Sequence, residues 1–125
     1  MTDHPNAAMY RKMSQEMSEG GLEAMAAGLA EDVEWWEIGA TSPIVGRQAL
    51  VDRMMALASY EISGDLHDVV ANDDHMIALI AVTARKGDET LNYKVAEIYH
   101  VNAHGQVAQR WAFSDDTQSI INFFS

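Results

Sequence analysis

Two glutamates stand where an acid can do chemistry. In "YKVAEIYHV", residues 93–101, strand alternation puts Glu97 on one face with Tyr93, Val95, Tyr99 and Val101. Burial among those rings and valines disfavours the charged form of a carboxyl group. A protein obtains a general acid, a base near neutrality or a neutral hydrogen-bond donor in that way. The other face, Lys94, Ala96, Ile98 and His100, is also half apolar, so an outward Glu97 paired with Lys or Arg is the alternative. The second acid lies in "EDVEWWEIG", residues 31–39, where Val33, Trp35 and Glu37 point one way and Glu34, Trp36 and Ile38 the other. There Trp35 reads as a wall and Glu37 as a polar group near a strand end, where simple solvation is the competing account.

The remaining chemistry-bearing residues point less sharply. His67 and Asp68 are neighbours and so face opposite sides of a strand, while His75 and His104 sit at or in turns. No H-x-x-x-H or H-x-H spacing occurs, so no metal site is expected. His67 or His100 can line a pocket or serve as hydrogen-bonded structural groups. Asp115, just past Trp111 and Phe113, reads as a helix cap. Motifs for serine nucleophiles, phosphate-binding loops and dinucleotides are missing, and no cofactor is expected.

These residues need elements to hold them. Apolar positions at helical spacing (Met9, Tyr10, Met13, Met17) predict a helix over residues 6–19, stopped by Gly20-Gly21. A short second helix follows through Leu22, Met25, Ala26 and Leu29, then a strand over 33–38. The loop "GATSPIVG" leads to a helix over 47–60 through Leu50, Met54, Leu57 and Ala58. Strands are expected at about 61–71, 75–86, 89–102 and 106–113, with a last helix over 117–124 capped by Asp115 or Asp116. Short turns between the last four strands require an antiparallel meander, because parallel neighbours need long crossovers. The fold class is α+β: a strongly curved antiparallel sheet, cone-shaped, wrapped around the N-terminal helices and enclosing an interior pocket. With 125 residues and no linker, one domain spanning 1–125 is expected.

Composition narrows the partners. Nineteen acids against eight Lys and Arg give a net charge of −11, which repels nucleic-acid phosphates and anionic lipid. The longest apolar run, "MIALIAV", is far short of the roughly 20 residues of a membrane span. There is no cysteine, and the N-terminus lacks the pattern of a secretory signal, so a cytoplasmic protein is expected.

The run "GGLEAMAAGLAEDVEWWEIGATSPIVGRQAL", the hairpin "YHVNAHGQV" and the tail "DDTQSIINFF" resemble the nuclear transport factor 2-like superfamily, which includes ketosteroid isomerases and SnoaL-like polyketide cyclases. In the isomerases the general base lies nine residues before the glycine that closes the first loop. Counting nine before Gly46 gives Glu37. Their oxyanion-hole acid lies eight before the hairpin glycine, and eight before Gly105 is Glu97. Both are Glu where the isomerases have Asp, which moves each carboxylate by one methylene. The helix-one tyrosine falls on Met13 here, with Tyr10 one turn earlier. Epoxide hydrolases of this fold carry an Arg-x-Asp and a late Asp; "IALIAVTAR" lacks the first, and Ala112 stands at the second. The resemblance implies a cofactor-free enzyme that abstracts a proton from a small, apolar, carbonyl-bearing molecule, by isomerisation or cyclisation. Glu37, Glu97 and Tyr10 would be catalytic, in a pocket lined by Met13, Met17, Trp35, Met54, Tyr99 and Trp111. A non-catalytic ligand-binding or protein-docking module of the same fold is the alternative. A homodimer is expected, because the far face of the sheet, with Ala96 and Ile98, needs cover.

Overall fold

The computed structural model describes residues 4–18 and 22–125, without the side chains of residues 17, 18, 22 and 24. The elements in chain order are α1 (Pro5–Ser18), α2 (Leu22–Ala27), β1 (Leu29–Trp35), β2 (Ile44–Val45), α3 (Arg47–Ala56), β3 (Glu61–Ala71), β4 (His75–Lys86), β5 (Glu89–Val101), β6 (Val107–Ser114) and α4 (Thr117–Phe123). The Gly20-Gly21 pair expected to end α1 lies outside the described residues, as does the side chain of Met17. No helix among the described residues is long and apolar enough to cross a membrane.

The strands form one six-stranded sheet in the order β2-β1-β6-β5-β4-β3. The α+β class stands, but the expected cone does not. The sheet is open and not strongly curled, running from an edge of two residues at β2 to a second edge at β3. It is also mixed, because β1 joins β6 in parallel, while β3 to β6 form the antiparallel meander. Short turns dictate direction only between strands adjacent in sequence. β1 has a non-local partner, so its direction is invisible to turn counting.

The first strand begins four residues earlier than its sequence pattern predicts. Leu29 and Val33 are fully buried, and Leu29 pairs with Val107. The third helix ends at Ala56, short of Tyr60, and Tyr60 instead donates its hydroxyl to the Phe123 carbonyl at 3.1 Å. Asp116 is the cap of α4, accepting from the Ser119 amide.

One face of the sheet carries the core. Tyr10 and Ala7 of α1, Met25 of α2 and Leu50 of α3 pack with Val33, Met76, Ala78 and Tyr99 from the strands. The opposite face bears apolar rows in which Val70, Ile77, Leu79 and Phe113 are exposed. In one row Val70, Ile77, Ile98 and Trp111 lie side by side across four strands. A neighbouring row runs through Leu79, Ala96 and Phe113, and Phe113 is 60% exposed.

Candidate active site

Alternation along β5 turns Val95, Glu97, Tyr99 and Val101 into the helix-covered face, and all four are buried. Glu97 is not alone there. The β5–β6 ladder places Arg110 opposite Tyr99, two residues along from Glu97 and on the same face. Oε2 of Glu97 accepts a hydrogen bond from Nη2 of Arg110. Oε1 accepts from the Tyr10 hydroxyl of α1 at 2.8 Å. The two charged side chains are only 12% and 11% exposed. Both oxygens act as acceptors, which suits a carboxylate and not a neutral donor.

Three further contacts hold Arg110. Its Nη1 donates to the Trp36 carbonyl at 3.0 Å, and its own carbonyl accepts from the Trp36 amide at 2.8 Å. The guanidinium carbon sits 4.5 Å from the centre of the Trp35 ring, a cation–π contact. Trp35 meets Tyr99 edge-on at 6.0 Å, and Tyr99 meets Tyr10 at 5.5 Å. One arginine therefore ties β6 to β5, to the end of β1 and, through Glu97, to α1. Its Nε is buried and has no acceptor among the described residues.

Electrostatics keep the phenols protonated. Burial raises the Tyr10 pKa far above its ordinary value, and the Tyr99 ring and Glu97 carboxylate add to this against a smaller opposing pull from Arg110. Tyr99 is raised first by burial and then by Glu97, with Arg110 again opposing. Tyr93 is raised by burial, with Arg110 opposing. For Arg110 burial works against the charged form, but Glu97 and then Tyr99 overcome it, and the guanidinium is held charged.

Glu37 lies two residues past the end of β1. Both its oxygens accept from Nε of Arg53 on α3, at 3.2 and 3.1 Å, and each side chain of the pair is 36% exposed. This pair clamps the loop after β1 to α3. The two acids have separate basic partners, Arg53 for Glu37 and Arg110 for Glu97.

Met13, Trp35 and Met54 are partly buried against the core cluster that contains Tyr10 and Tyr99. Trp111 is elsewhere. It pairs with Ile98, on the face opposite Glu97. His100 is on that outer face too, bonded to Gln109 and stacked on His75 at 5.3 Å. His67, Phe113 and Asp115 line an outer-face cavity of about 720 Å³ together with Leu79, Lys94 and Ala96. Asp115 accepts from the Lys94 amide and the Ser114 hydroxyl, and these bonds, the backbone one first, hold its carboxyl below the usual range.

Arg110 and Arg53 were not singled out by residue type and spacing. A shift in register of the β5–β6 ladder explains why for Arg110. Val101 pairs with Val107, and continuing that register unshifted would put Trp111 opposite Glu97. The irregularity between His100 and Val101 moves the partner by one residue, which swaps the faces of Arg110 and Trp111. The available signal was an arginine two positions from Ala112 in a strand of alternating apolar character.

Comparison with known proteins agrees with this architecture. The model of the SnoaL-like domain matches residues 10–110. Among solved structures, Bal32a from a soil-derived mobile gene cassette is similar at a TM-score of 0.86 and 18% identity, covering 96% of each chain. A putative polyketide cyclase from Xanthomonas campestris matches at 0.78 and 21%, also covering 96% of each. An LEH-like epoxide hydrolase from Mycobacterium tuberculosis matches at 0.76 and 12%, covering 95% of this chain and 90% of its own. Among curated proteins none matches the sequence. These identities carry the fold alone, while the domain model spans most of the chain. The chain belongs to the SnoaL-like domain family.

Proposed function

We propose that this protein is a cofactor-free enzyme that abstracts a proton from carbon next to the carbonyl of a small, apolar molecule. The observation that carries the reading is the buried Glu97 carboxylate bonded to the Tyr10 phenol at 2.8 Å. Glu97 serves as the proton acceptor, in preference to Glu37, which is more exposed and has both oxygens on Arg53. Each carboxylate oxygen has a second lone-pair site, so Glu97 can take a proton without first losing a partner. The substrate C–H bond breaks, its proton goes to Glu97, and its electron pair forms a C=C bond as the carbonyl π pair moves to oxygen. A neutral Glu97 pulls less on the Tyr10 hydrogen, which is then free to bond the new oxyanion. Isomerisation follows if the proton returns to another carbon, and cyclisation if the enolate attacks a second carbonyl.

The test is exchange of α-protons for deuterium in a cyclic β,γ-unsaturated ketone, followed by NMR. Glu97→Gln is expected to abolish protein-dependent exchange, and Tyr10→Phe to slow it on the order of tenfold to a hundredfold. Full exchange by Glu97→Gln would sink the assignment. A second reading, a ligand-binding or docking module, draws support from the outer face, where Val70, Leu79 and Phe113 are exposed. That face is also the surface on which a homodimer would form.

A further inference from the structure

Arg110 has more donors than the hydrogen bonds of the fold use. A guanidinium carries five N–H hydrogens and no acceptor. One hydrogen of Nη1 goes to the Trp36 carbonyl and one of Nη2 to Glu97, while Nε is buried and has no acceptor among the described residues. Buried donors are nearly always partnered, so an unpartnered one calls for an explanation. The head group cannot turn to satisfy it, because the two bonds and the Trp35 ring fix its plane.

Charge leads to the same atom. The buried charged residues among those described are Glu97 and Arg110, one anion and one cation. Tyr10, Tyr93 and Tyr99 around them stay neutral. Once a substrate proton has reached Glu97, the negative charge sits on the substrate oxygen, and Arg110 is the cation left to balance it. Three of its five N–H hydrogens remain, and Nε–H is the one on a nitrogen with no acceptor at all.

We propose that Nε–H of Arg110 is the binding contact for a ligand oxygen that carries or acquires negative charge, so that the site selects enolisable ketones, keto-enols and phenols over molecules lacking such an oxygen. This rests on Glu97 being the proton acceptor. Nε is buried, so contact with a ligand oxygen requires the surrounding rings to part.

Equilibrium binding of para-nitrophenol, against nitrobenzene as the matched molecule without the oxygen, tests the assignment without any turnover. At a pH where the free phenol is ionised, wild-type protein is expected to bind it with uptake of one proton, read with an indicator dye, because Glu97 must neutralise. Glu97→Gln imitates the protonated acid and is expected to bind the phenolate more tightly, on the order of tenfold to a hundredfold, with nitrobenzene unchanged. Glu97→Gln/Arg110→Met, which has neither charge, is expected to lose that gain and still bind nitrobenzene. Equal phenolate binding by these two variants would overturn the proposal. If Glu97→Gln fails to fold, Glu97→Met/Arg110→Met replaces both variants and is compared with wild type. A phenolate preference over nitrobenzene that survives in that variant overturns the proposal, and its loss supports it. Phenolate selectivity with proton uptake but no deuterium exchange would keep this contact and reject the enzyme reading.

Discussion

Replacing Arg110 with Met tests how the site is held together. The substitution leaves Glu97 with Tyr10 as its remaining bonded partner, in a position where its side chain is 12% exposed. It removes a charge-assisted bond to Glu97, worth about 1.5–3 kcal/mol, and a bond to the Trp36 carbonyl, worth about 1 kcal/mol. The stacking on Trp35 contributes on the order of 0.5–2 kcal/mol more. Breaking a buried pair from one side costs about 3–5 kcal/mol in general, in line with that range. For a domain with roughly 5–15 kcal/mol of total stability, this is a large fraction. Urea unfolding followed by tryptophan fluorescence is a suitable assay, because Trp35 lies against the mutated group. The urea midpoint should fall by about 1–3 M at unchanged slope. Glu97→Met/Arg110→Met should recover most of the loss, since it strands no charge. A loss under about 1 kcal/mol for Arg110→Met, or a double variant weaker than Arg110→Met, would refute the view that this pair is desolvated and mutually dependent.

Alkaline pH should unfold the protein through its phenols. Tyr10, Tyr93 and Tyr99 are raised in the fold, so their stabilisation is complete below about pH 10 and declines above it. The slope should reach about 1.4 kcal/mol per pH unit for each phenol, read from urea melts at several pH values, and Tyr99→Phe should lessen it. Glu37→Gln should cost no more than about 1 kcal/mol, because its pair with Arg53 is a third exposed, and should leave deuterium exchange near wild type. Gly39→Ala should cost about 1–3 kcal/mol in thermal or urea unfolding: φ is 75°, and a Cβ there would lie 2.7 Å from Cδ1 of Ile121. Phe113→Lys should turn a dimer into a monomer by light scattering without loss of fold, and a wild-type monomer at tens of micromolar would reject the docking role of the outer face.

Much of the secondary structure was legible because local patterns dictate it. The turn residues bound β3 and β4 at the residues expected, and the alternation of β5 alone put Glu97 with Tyr99 on one face. Family membership was readable in the runs around Gly46 and Gly105. The rest depended on partners far apart in the chain. Whether β1 runs parallel to β6 is decided by residues about 75 positions apart, such as Glu34 and Gln109, and no turn connects them. The environment of Glu97 turned on a single irregularity between His100 and Val101, which brought Arg110 in and sent Trp111 out. A one-residue slip costs a strand little in its own propensity and reverses every side chain it carries. Sequence alone therefore determined that a carboxylate would share one strand face with two tyrosines, and not that this face is the buried one. Only the tertiary structure decided that it would be met by an arginine, because packing of β6 against both β5 and β1 sets which face that arginine takes.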